Sequence, residues 1–152
     1  MRRAHQEDVP LLIELMTLFY AESHYTLDRT RAADAFDTLL SREHLGHIWL
    51  IEEGGKAIGY VVLIFRFSME YGGLIACIDD LYILRDHRNR GLGTAALEHI
   101  RVICEELGLR AITVEAAPNN SSAQRVYCHL GFKEESGRQL LVLPLTKPVH
   151  VV

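Results

Sequence analysis

The sequence predicts a mixed α/β (α+β) fold, in which a mostly antiparallel central sheet is flanked by helices. In the first half of the chain, apolar strand patterns are joined by short glycine-containing turns, and strands connected in this way pair antiparallel. In the second half, strand and helix patterns alternate in the order β-α-β-α-β. The 152 residues are 49% hydrophobic and 24% charged, which fits one domain over residues 1–152 with an ordinary core.

Two helices and three strands are predicted in the first half. The first helix covers residues 8–20, because apolar side chains such as Leu12 and Phe19 recur at helical spacing. Asp8 either caps this helix or lies in its first turn. A polar stretch then leads into a second, short helix around Ala32–Leu40. The predicted strands are His47–Ile51, Ala57–Phe67 and Leu74–Leu84.

Two further helices and two strands are predicted in the second half. One helix starts at Leu92, has one apolar face and stops at Gly108. A strand over Ala111–Ala116 and a helix over Asn120–Leu130 follow. The final strand, Gln139–Leu145, is apolar on both faces up to its proline, and such a strand is usually covered on both sides.

Charge and hydropathy exclude several classes of protein. The formal net charge of -4 argues against broad nucleic-acid binding, so an anionic ligand has to be attracted locally. Apolar runs such as Ile58–Phe67 are too short to span a membrane. The first residues turn acidic and lack the apolar stretch of a signal peptide, which predicts a cytoplasmic protein. We therefore expect neither nucleic acid nor a membrane as a partner.

The cysteines and histidines do not predict a metal site. Cys77, Cys104 and Cys128 are odd in number, lack the spacing of metal ligands and fall in apolar patterns, so reduced thiols in the core are expected. His44 and His47 have helical spacing, but no third ligand is evident, and no metal is assigned.

The segment HRNRGLGTAALEHI, residues 87–100, places two arginines and two glycines directly before an amphipathic helix. Gly91 and Gly93 allow the backbone to approach a ligand closely, because no side chain intervenes. Free N–H groups and the positive end of the helix dipole face the same place. Arg88 and Arg90 add positive charge that is present at any relevant pH. This chemistry indicates a phosphate site.

The glycine pattern alone leaves two other interpretations open. Gly91-x-Gly93-x-x-Ala96 fits the dinucleotide-binding fingerprint, and Glu115 follows roughly 20 residues later, where a ribose-binding acid belongs. However, residues 85–90 separate the preceding strand from the first glycine, whereas in the fingerprint the strand runs almost directly into it. The lysine of a P-loop is also missing. The other interpretation is a surface loop with solvated arginines.

A second motif favours the phosphate site. The pattern Asn120-x-x-Ala123-x-x-x-Tyr127-x-x-x-Gly131-Phe132 begins directly after a predicted strand. Asn120 and Tyr127 are two helical turns apart and lie nearly on one face, with the small Ala123 between them.

With both motifs in this order, the sequence resembles the GNAT superfamily of N-acetyltransferases over essentially its whole length. Residues 88–93 (Arg-Asn-Arg-Gly-Leu-Gly) match the family's Arg/Gln-x-x-Gly-x-Gly/Ala motif, and residues 80–83 (Asp-Leu-Tyr-Ile) look like its central strand. Two positions depart from the family pattern. Arg85 stands where a proline is frequent, and Asn89 stands where a glycine is frequent.

The resemblance implies acetyl-CoA as cosubstrate, held between two strands that splay apart after residues 79–81, and no metal. The coenzyme's pyrophosphate would meet the amides of residues 88–94, and its pantetheine arm would pair with strand backbone at residues 81–83. The residues implied to bind the coenzyme are Leu81, Tyr82, Ile83, Arg88, Asn89, Arg90, Gly91, Leu92, Gly93, Thr94, Asn120 and Tyr127.

The implied reaction is direct transfer of the acetyl group to a primary amine of a small molecule or peptide. An alkylammonium with a pKa of ~10.4 is unreactive, so a proton must leave before the amine attacks the thioester. The family pattern places the Tyr127 hydroxyl at the coenzyme sulfur, where it would act as general acid. Asp79 and Asp80 are the candidate bases, and we expect Asp79 to act through water, because polyamine-acetylating relatives carry a carboxylate there. Histone-modifying relatives carry theirs at the position of Cys77.

Carboxylates from several segments would border the acceptor cleft in such a fold and attract a cationic amine. Single-domain relatives commonly dimerise, often through C-terminal strands, so the apolar final strand favours a homodimer. Two other functions stay open, a dinucleotide-binding oxidoreductase and a non-catalytic CoA-binding module. The cleft carboxylates are Glu22, Asp28, Glu70, Asp79 and Asp80.

Overall fold

The computed structural model describes residues 1–116, 120–135 and 140–151. No helix within these ranges is long and apolar enough to cross a membrane. In chain order the strands and helices are β1 (Arg2–Arg3), α1 (Val9–Glu22), β2 (Thr26–Leu27), α2 (Arg29–Ser41), β3 (Gly46–Glu53), β4 (Lys56–Ser68), β5 (Gly73–Ile83), α3 (Leu92–Glu106), β6 (Ile112–Val114), α4 (Ser121–His129) and β7 (His150–Val151).

Five of these strands form one mixed sheet in the order β1-β3-β4-β5-β6. Neighbouring strands pair antiparallel except β5 and β6, which are parallel. The predicted fold class is thereby confirmed. A dinucleotide-binding fold is built on a doubly wound, mostly parallel sheet, so this topology excludes the fold that the oxidoreductase interpretation requires.

Helices cover both faces of the sheet. On the α1/α2 face, Leu12 and Phe36 pack in one apolar cluster with Tyr60 and Tyr82 of the sheet. On the α3/α4 face, Ile100 belongs to a second cluster built on the other side of the same strands. The α4 side chains at the border of this second cluster are Val126 and Tyr127. The sheet therefore has one apolar cluster on each face, and side chains from both faces belong to the site described below.

The predicted helices and long strands up to residue 130 are confirmed, with small differences at their ends. The second helix begins at Arg29 rather than Ala32, because the Asp28 side chain caps it by accepting a 3.2 Å hydrogen bond from the Arg31 amide. Asp8 precedes α1 but does not cap it. Its carboxylate is instead held by hydrogen bonds from the Arg2 guanidinium at 2.7 and 2.8 Å.

Three two-residue strands, β1, β2 and β7, have no counterpart in the prediction. β2 and β7 form a separate antiparallel pair, in which Thr26 lies opposite Val151. The Asp28 amide also donates to the carbonyl of Val149 at 2.6 Å. The last residues of the described chain therefore pack on the connection between α1 and α2. Two residues are too few to show a period, so no sequence pattern could predict these pairings.

The predicted final strand is wrong. Residues 140–145 form no strand, and Gln139 lies outside the described residues. Apolar composition on both faces predicted burial, yet Leu141 is 86% and Leu145 is 91% exposed. An apolar run becomes a strand when a neighbour supplies backbone hydrogen bonds, and none pairs with residues 140–145 in the described ranges.

The cysteines are free, as the sequence predicts, but they do not all lie in the core. Cys104 is buried, Cys77 is partly buried and Cys128 is exposed. Cys128 lies on α4, whose outer side faces solvent, so its place in an apolar sequence pattern did not indicate burial.

Candidate active site

The parallel pair β5–β6 is short, and it opens toward the C-terminal end of β5. The two strands pair only over three positions, of which Ile78 opposite Val114 is the last. From Asp80 to Ile83, β5 pairs with β4, and from Asp79 to Ile83 it has no partner on its other edge among the described residues. Apart from the Ile83 carbonyl, which accepts from Arg88 Nε at 2.7 Å, the backbone groups on that edge are therefore available to a ligand. The two strands therefore part after Ile78, earlier than the resemblance implies, which is after residues 79–81.

A β-bulge lies at the point where the pair opens. Val62 of β4 lies opposite Asp80, and the next residue, Leu63, lies opposite Ile78. Asp79 is therefore the extra residue, and a bulge of this kind redirects the side chains around it. Asp79 is exposed, whereas Asp80 is only 8% exposed. Strand alternation predicts opposite directions for the two carboxylates, but it does not predict this difference in burial.

Asp80 is held on the α1/α2 face by Tyr60. The Tyr60 hydroxyl donates a hydrogen bond of 2.9 Å to Asp80 Oδ2. The Tyr60 ring packs edge-on against Phe36 of α2, with a centroid distance of 6.3 Å. Burial raises the pKa of Asp80 to about 6, with the charge of Asp79 acting in the same direction. Desolvation also raises the pKa of Asp79 above its ordinary value.

An aromatic group from α1 and the C-terminal strand borders these carboxylates. Burial, together with the charges of Asp80 and Asp79, raises the pKa of the Tyr20 hydroxyl, so it stays protonated at neutral pH. The Tyr20 ring meets the His150 ring edge-on at 5.3 Å, and His150 stacks on Tyr25 at 4.5 Å. The α1–α2 connection and β7 therefore form one wall near the carboxylate pair.

Sequence reasoning missed Tyr60, Tyr20 and His150. Tyr60 could have been found from the hairpin register, since β4 pairs with β5 from Gly59 to Ser68 and the Tyr60–Tyr82 and Val62–Asp80 pairs lie on one face. Tyr20 and His150 come from elements far apart in sequence, and no local signal points to them.

The loop between β5 and α3 has the backbone shape that the glycine motif predicts. After a 3₁₀ turn at Arg85–His87, Asn89 adopts a φ of 59° and Gly91 a φ of 78°. Both values lie in the left-handed region, which glycine adopts freely and asparagine more readily than most residues. This explains why asparagine can replace the frequent family glycine at position 89. Gly91 is the N-cap residue, and α3 starts at Leu92.

The start of α3 presents backbone donors. The first N–H groups of a helix have no partner within the helix, which here applies to Leu92, Gly93 and Thr94. A side chain at Gly93 would meet only Ile83 Cδ1, at 3.8 Å, so the protein itself leaves space there. Arg88 differs from the expectation, because its amide donates to the carbonyl of Arg85 at 3.2 Å. Of the amides that the resemblance assigns to the pyrophosphate, the Arg88 amide is therefore already bonded within the protein.

The two arginines of the loop are paired with carboxylates that sequence reasoning did not connect to them. The Arg88 guanidinium donates to both oxygens of Glu22 at 2.9 Å. The Arg90 guanidinium donates to both oxygens of Glu53 at 2.7 and 3.0 Å, and His87 Nδ1 lies 2.9 Å from Glu53 Oε2. Contact between these arginines and phosphate stays a prediction. Their observed partners hold the loop to α1 and to the β3–β4 turn.

Tyr127 lies on the α3/α4 face. Its helix is capped by Asn120, whose side chain accepts a 3.1 Å hydrogen bond from the Ala123 amide. The Tyr127 ring packs against Phe132 with a centroid distance of 5.5 Å. Burial raises the pKa of its hydroxyl, which keeps the proton that a general acid needs. The structure thus places Tyr127 and Asp80 on opposite faces of the sheet, and the open edge of β5 lies between those faces.

The other expected cleft carboxylates have different surroundings. Glu22 is engaged by Arg88, Asp28 caps α2, and Glu70 is exposed in the turn between β4 and β5. Only Asp79 and Asp80 lie at the opening of the strand pair. Within the described ranges no group of three or more His, Cys, Asp or Glu side chains could hold a metal ion.

Comparison of this chain with known proteins agrees with this geometry. The model of the acetyltransferase (GNAT) family matches residues 10–132. The crystal structure of integron cassette protein HFX_CASS3, from the mobile metagenome of Cole Harbour Salt Marsh, is 45% identical and superposes with a TM-score of 0.87 over 97% of this chain and 91% of that one.

Two further proteins are similar to this chain. The uncharacterized N-acetyltransferase YhfO of Bacillus subtilis (strain 168) is 25% identical over 136 residues, which are 90% of this chain and 91% of YhfO. A predicted acetyltransferase of Clostridium acetobutylicum, solved with acetyl-CoA, shares the fold with a TM-score of 0.78 at 19% identity, over 93% of this chain and 94% of that one.

The family model and the curated relative place this chain in the class of N-acetyltransferases. More particularly, the chain belongs to the acetyltransferase (GNAT) family, whose model spans the helices and strands from α1 to the end of α4. The predicted resemblance is thereby confirmed.

Proposed function

We propose that the protein, as a single domain over residues 1–152, transfers the acetyl group of acetyl-CoA directly to a primary amine of a small molecule or peptide. The observation that carries this proposal is the position of the α3 start beside the open edge of β5. One end of that opening presents free amides for an anion, and the other presents Asp79 and Asp80 for a cation.

The coenzyme would bind through backbone groups more than through side chains. The amides of Leu92, Gly93 and Thr94 would take the pyrophosphate, with the dipole of α3 adding positive potential. The open backbone of residues 81–83 would pair with the pantetheine arm, except at the Ile83 carbonyl, which accepts from Arg88 Nε. Bound acetyl-CoA supplies the thioester that the amine attacks.

Asp79 is the better candidate for the general base. A base that takes a proton from the acceptor through water must reach solvent, and Asp79 is exposed whereas Asp80 is buried against Tyr60. The raised pKa of Asp79 makes its carboxylate a stronger proton acceptor than an ordinary aspartate. Asp80 would support it as a neighbouring negative charge.

Tyr127 is the candidate general acid. Its hydroxyl lies on the α3/α4 face, and burial keeps it protonated. It would donate this proton to the departing thiolate, whose thiol has a pKa of ~8.5. Tyr127 would act from the α3/α4 face and Asp79 from the bulge at the opening of the strand pair, so two different groups would carry the two proton transfers.

We also propose that the protein is a cytoplasmic homodimer. The exposed apolar side chains of residues 140–145 would be covered by a second copy, because a contiguous apolar patch of this kind favours association. Light scattering at micromolar concentration tests this, and a monomer at all concentrations would contradict it. The exposed side chains are Leu140, Leu141, Val142, Leu143 and Leu145.

The coenzyme assignment is tested by thermal unfolding. Acetyl-CoA at about 100 times its Kd should stabilise the fold by roughly 2.7 kcal/mol, and NAD should not. A thiol-release assay against amines, aminoglycosides, polyamines, amino acids and peptides then identifies the acceptor. Stabilisation by NAD and none by acetyl-CoA would contradict the proposal, whereas coenzyme binding without thiol release for any acceptor would favour a non-catalytic CoA-binding module.

A further inference from the structure

Glu22, the last residue of α1, is the centre of a polar cluster that reaches the coenzyme loop. Its carboxylate accepts from both terminal nitrogens of Arg88 at 2.9 Å and from the Tyr82 hydroxyl at 3.0 Å. Arg85 Nε lies 3.3 Å from the same carboxylate. Burial alone would raise the pKa of Glu22, but the hydrogen bonds from Arg88 and Tyr82 outweigh it and the pKa is lowered. The carboxylate is therefore ionised at neutral pH.

Arg88 connects this carboxylate to the end of β5. Its Nε donates to the carbonyl of Ile83 at 2.7 Å, so each of its three nitrogens has a partner. Its guanidinium also lies over the Tyr82 ring, 5.3 Å from the centroid. A planar group held at three nitrogens and one face has a fixed position. Arg88 in turn fixes the segment that leads to Asn89 and Gly91.

The Glu22–Arg88 pair differs from an ordinary surface ion pair. The side chains of Glu22 and Arg88 are 22% and 36% exposed, against 35% and 52% for Glu53 and Arg90 in the second loop contact. Fully exposed pairs contribute little to stability, whereas a partly buried bidentate pair with additional hydrogen bonds restrains its neighbours. The neighbours here are Asn89 and Gly91, which adopt left-handed backbone conformations just before the free amides of α3.

We infer that Glu22 is a positioning residue for acetyl-CoA binding: acting through Arg88, it holds the loop so that the amides at the start of α3 face the coenzyme. This inference rests on the proposed function, which assigns the loop to the coenzyme. Without Glu22 the loop has to be ordered when the coenzyme binds, and the cost of ordering lowers the affinity.

The charge of Glu22 makes the test discriminating. Replacement by glutamine removes a negative charge close to an anion site, and electrostatics alone would therefore tighten binding of acetyl-CoA. Loss of positioning would weaken it. The matched control is Glu14→Gln, which removes the same charge from the same helix. The Glu14 carboxylate pairs with Arg29 of α2 rather than with the loop.

The experiment measures acetyl-CoA binding by calorimetry. The acceptor is left out because Glu22 also lines an open groove of about 510 Å³ next to the loop, and a direct effect of Glu22 on a second ligand in that groove has to be excluded. We expect Glu22→Gln to raise the Kd and the KM for acetyl-CoA about tenfold and to leave kcat within about twofold. Glu14→Gln should bind as the wild type does. In an Arg88→Gln background, Glu22→Gln should not raise the Kd further, because both substitutions break the same Glu22–Arg88 contact.

An unchanged or tighter Kd in Glu22→Gln would overturn the inference, and so would a loss confined to kcat. If Glu22→Gln does not fold, Arg88→Lys tests the same contact, because lysine keeps the charge and cannot bind a carboxylate with two nitrogens.

Hydrogen–deuterium exchange separates this inference from the proposed function. In the coenzyme-free protein, amides of residues 84–94 should exchange faster in Glu22→Gln than in Glu14→Gln. Faster exchange together with no acetyl-CoA binding by the wild type would leave the loop restraint intact and contradict the proposed function. Equal exchange in the two variants would overturn the inference even if the wild type binds acetyl-CoA.

Discussion

The Tyr60 hydroxyl donates a 2.9 Å hydrogen bond to Asp80 inside the sheet, where Tyr60 is 0% and Asp80 8% exposed. This contact places a carboxylate in a nearly dry environment one residue from the exposed Asp79. Burial, together with the charge of Asp80 and this hydrogen bond, raises the pKa of Tyr60, so its hydroxyl remains a donor at neutral pH. As a result, Asp80 is buried and hydrogen-bonded, whereas the neighbouring Asp79 is exposed to solvent.

Asp80→Asn should stabilise the protein at neutral pH. Burial raises the pKa of Asp80 from 3.8 to about 6, so the folded state binds the proton more tightly than the unfolded state. Wild-type stability therefore falls, relative to the variant, as pH rises from about 4 to about 7. The shift corresponds to roughly 3 kcal/mol at about 1.36 kcal/mol per pKa unit.

Denaturant unfolding of both proteins between pH 4 and pH 7 measures this difference. A difference in the free energy of unfolding that does not change with pH would contradict the raised pKa. Equal stability of the two proteins at pH 7 would contradict the predicted stabilisation by Asp80→Asn.

Asp79→Asn should lower kcat by about 10²–10⁴ near pH 7, the usual contribution of a general base. The loss should shrink as pH approaches the acceptor pKa of ~10.4, because the amine then loses its proton without help. The pH–rate profile of the variant against the wild type is the measurement. A loss that is constant from pH 7 to pH 9 would indicate a structural role. A larger loss in Asp80→Asn than in Asp79→Asn would transfer the assignment to Asp80.

Tyr127→Phe should lower kcat by about 10²–10⁴, whereas acetyl-CoA affinity should change little because the ring still packs on Phe132. The defect should be smaller with an acyl donor whose leaving group has a lower pKa. Steady-state kinetics with a confirmed acceptor, under conditions where chemistry limits the rate, check this. Full kcat in the variant would refute the general-acid role, and a lower melting temperature with intact turnover would make Tyr127 a packing residue.

The two loop glycines should respond differently to alanine. Gly91 has a φ of 78°, so Gly91→Ala should lower stability by about 1–2 kcal/mol through backbone strain. A side chain at Gly93 meets only Ile83, at ordinary contact distance, so Gly93→Ala should leave stability unchanged or slightly raised. Its methyl group would nevertheless keep the pyrophosphate away from the amides of α3.

Thermal melts and calorimetry with acetyl-CoA distinguish these effects. We expect Gly93→Ala to weaken binding by tenfold or more at an unchanged melting temperature. Binding of acetyl-CoA by Gly93→Ala with wild-type affinity would show that the coenzyme does not approach this point of the backbone.

The sequence by itself determined the fold class, the long strands and the backbone shape of the loop between β5 and α3. These depend on local patterns: apolar spacing for α1 and α3, and a glycine motif whose left-handed Gly91 requires no neighbour to be recognised. Asp79 and Asp80 were found because charges stand out in an apolar strand. The departure from the family pattern at Asn89, where glycine is frequent, also has a local reason, because asparagine readily adopts a φ of 59°.

The tertiary structure alone decided which of these groups act together. Glu22 reaches Arg88 across 66 positions of sequence, and Tyr60 reaches Asp80 only because β4 and β5 pair in one register with a bulge at Asp79. Residues 140–145 show the converse, because an apolar pattern needs a neighbouring strand that the chain did not provide in the described ranges. Burial and partner choice are properties of the packed whole, since the free energy of a charge depends on the atoms that surround it and not on its place in the chain.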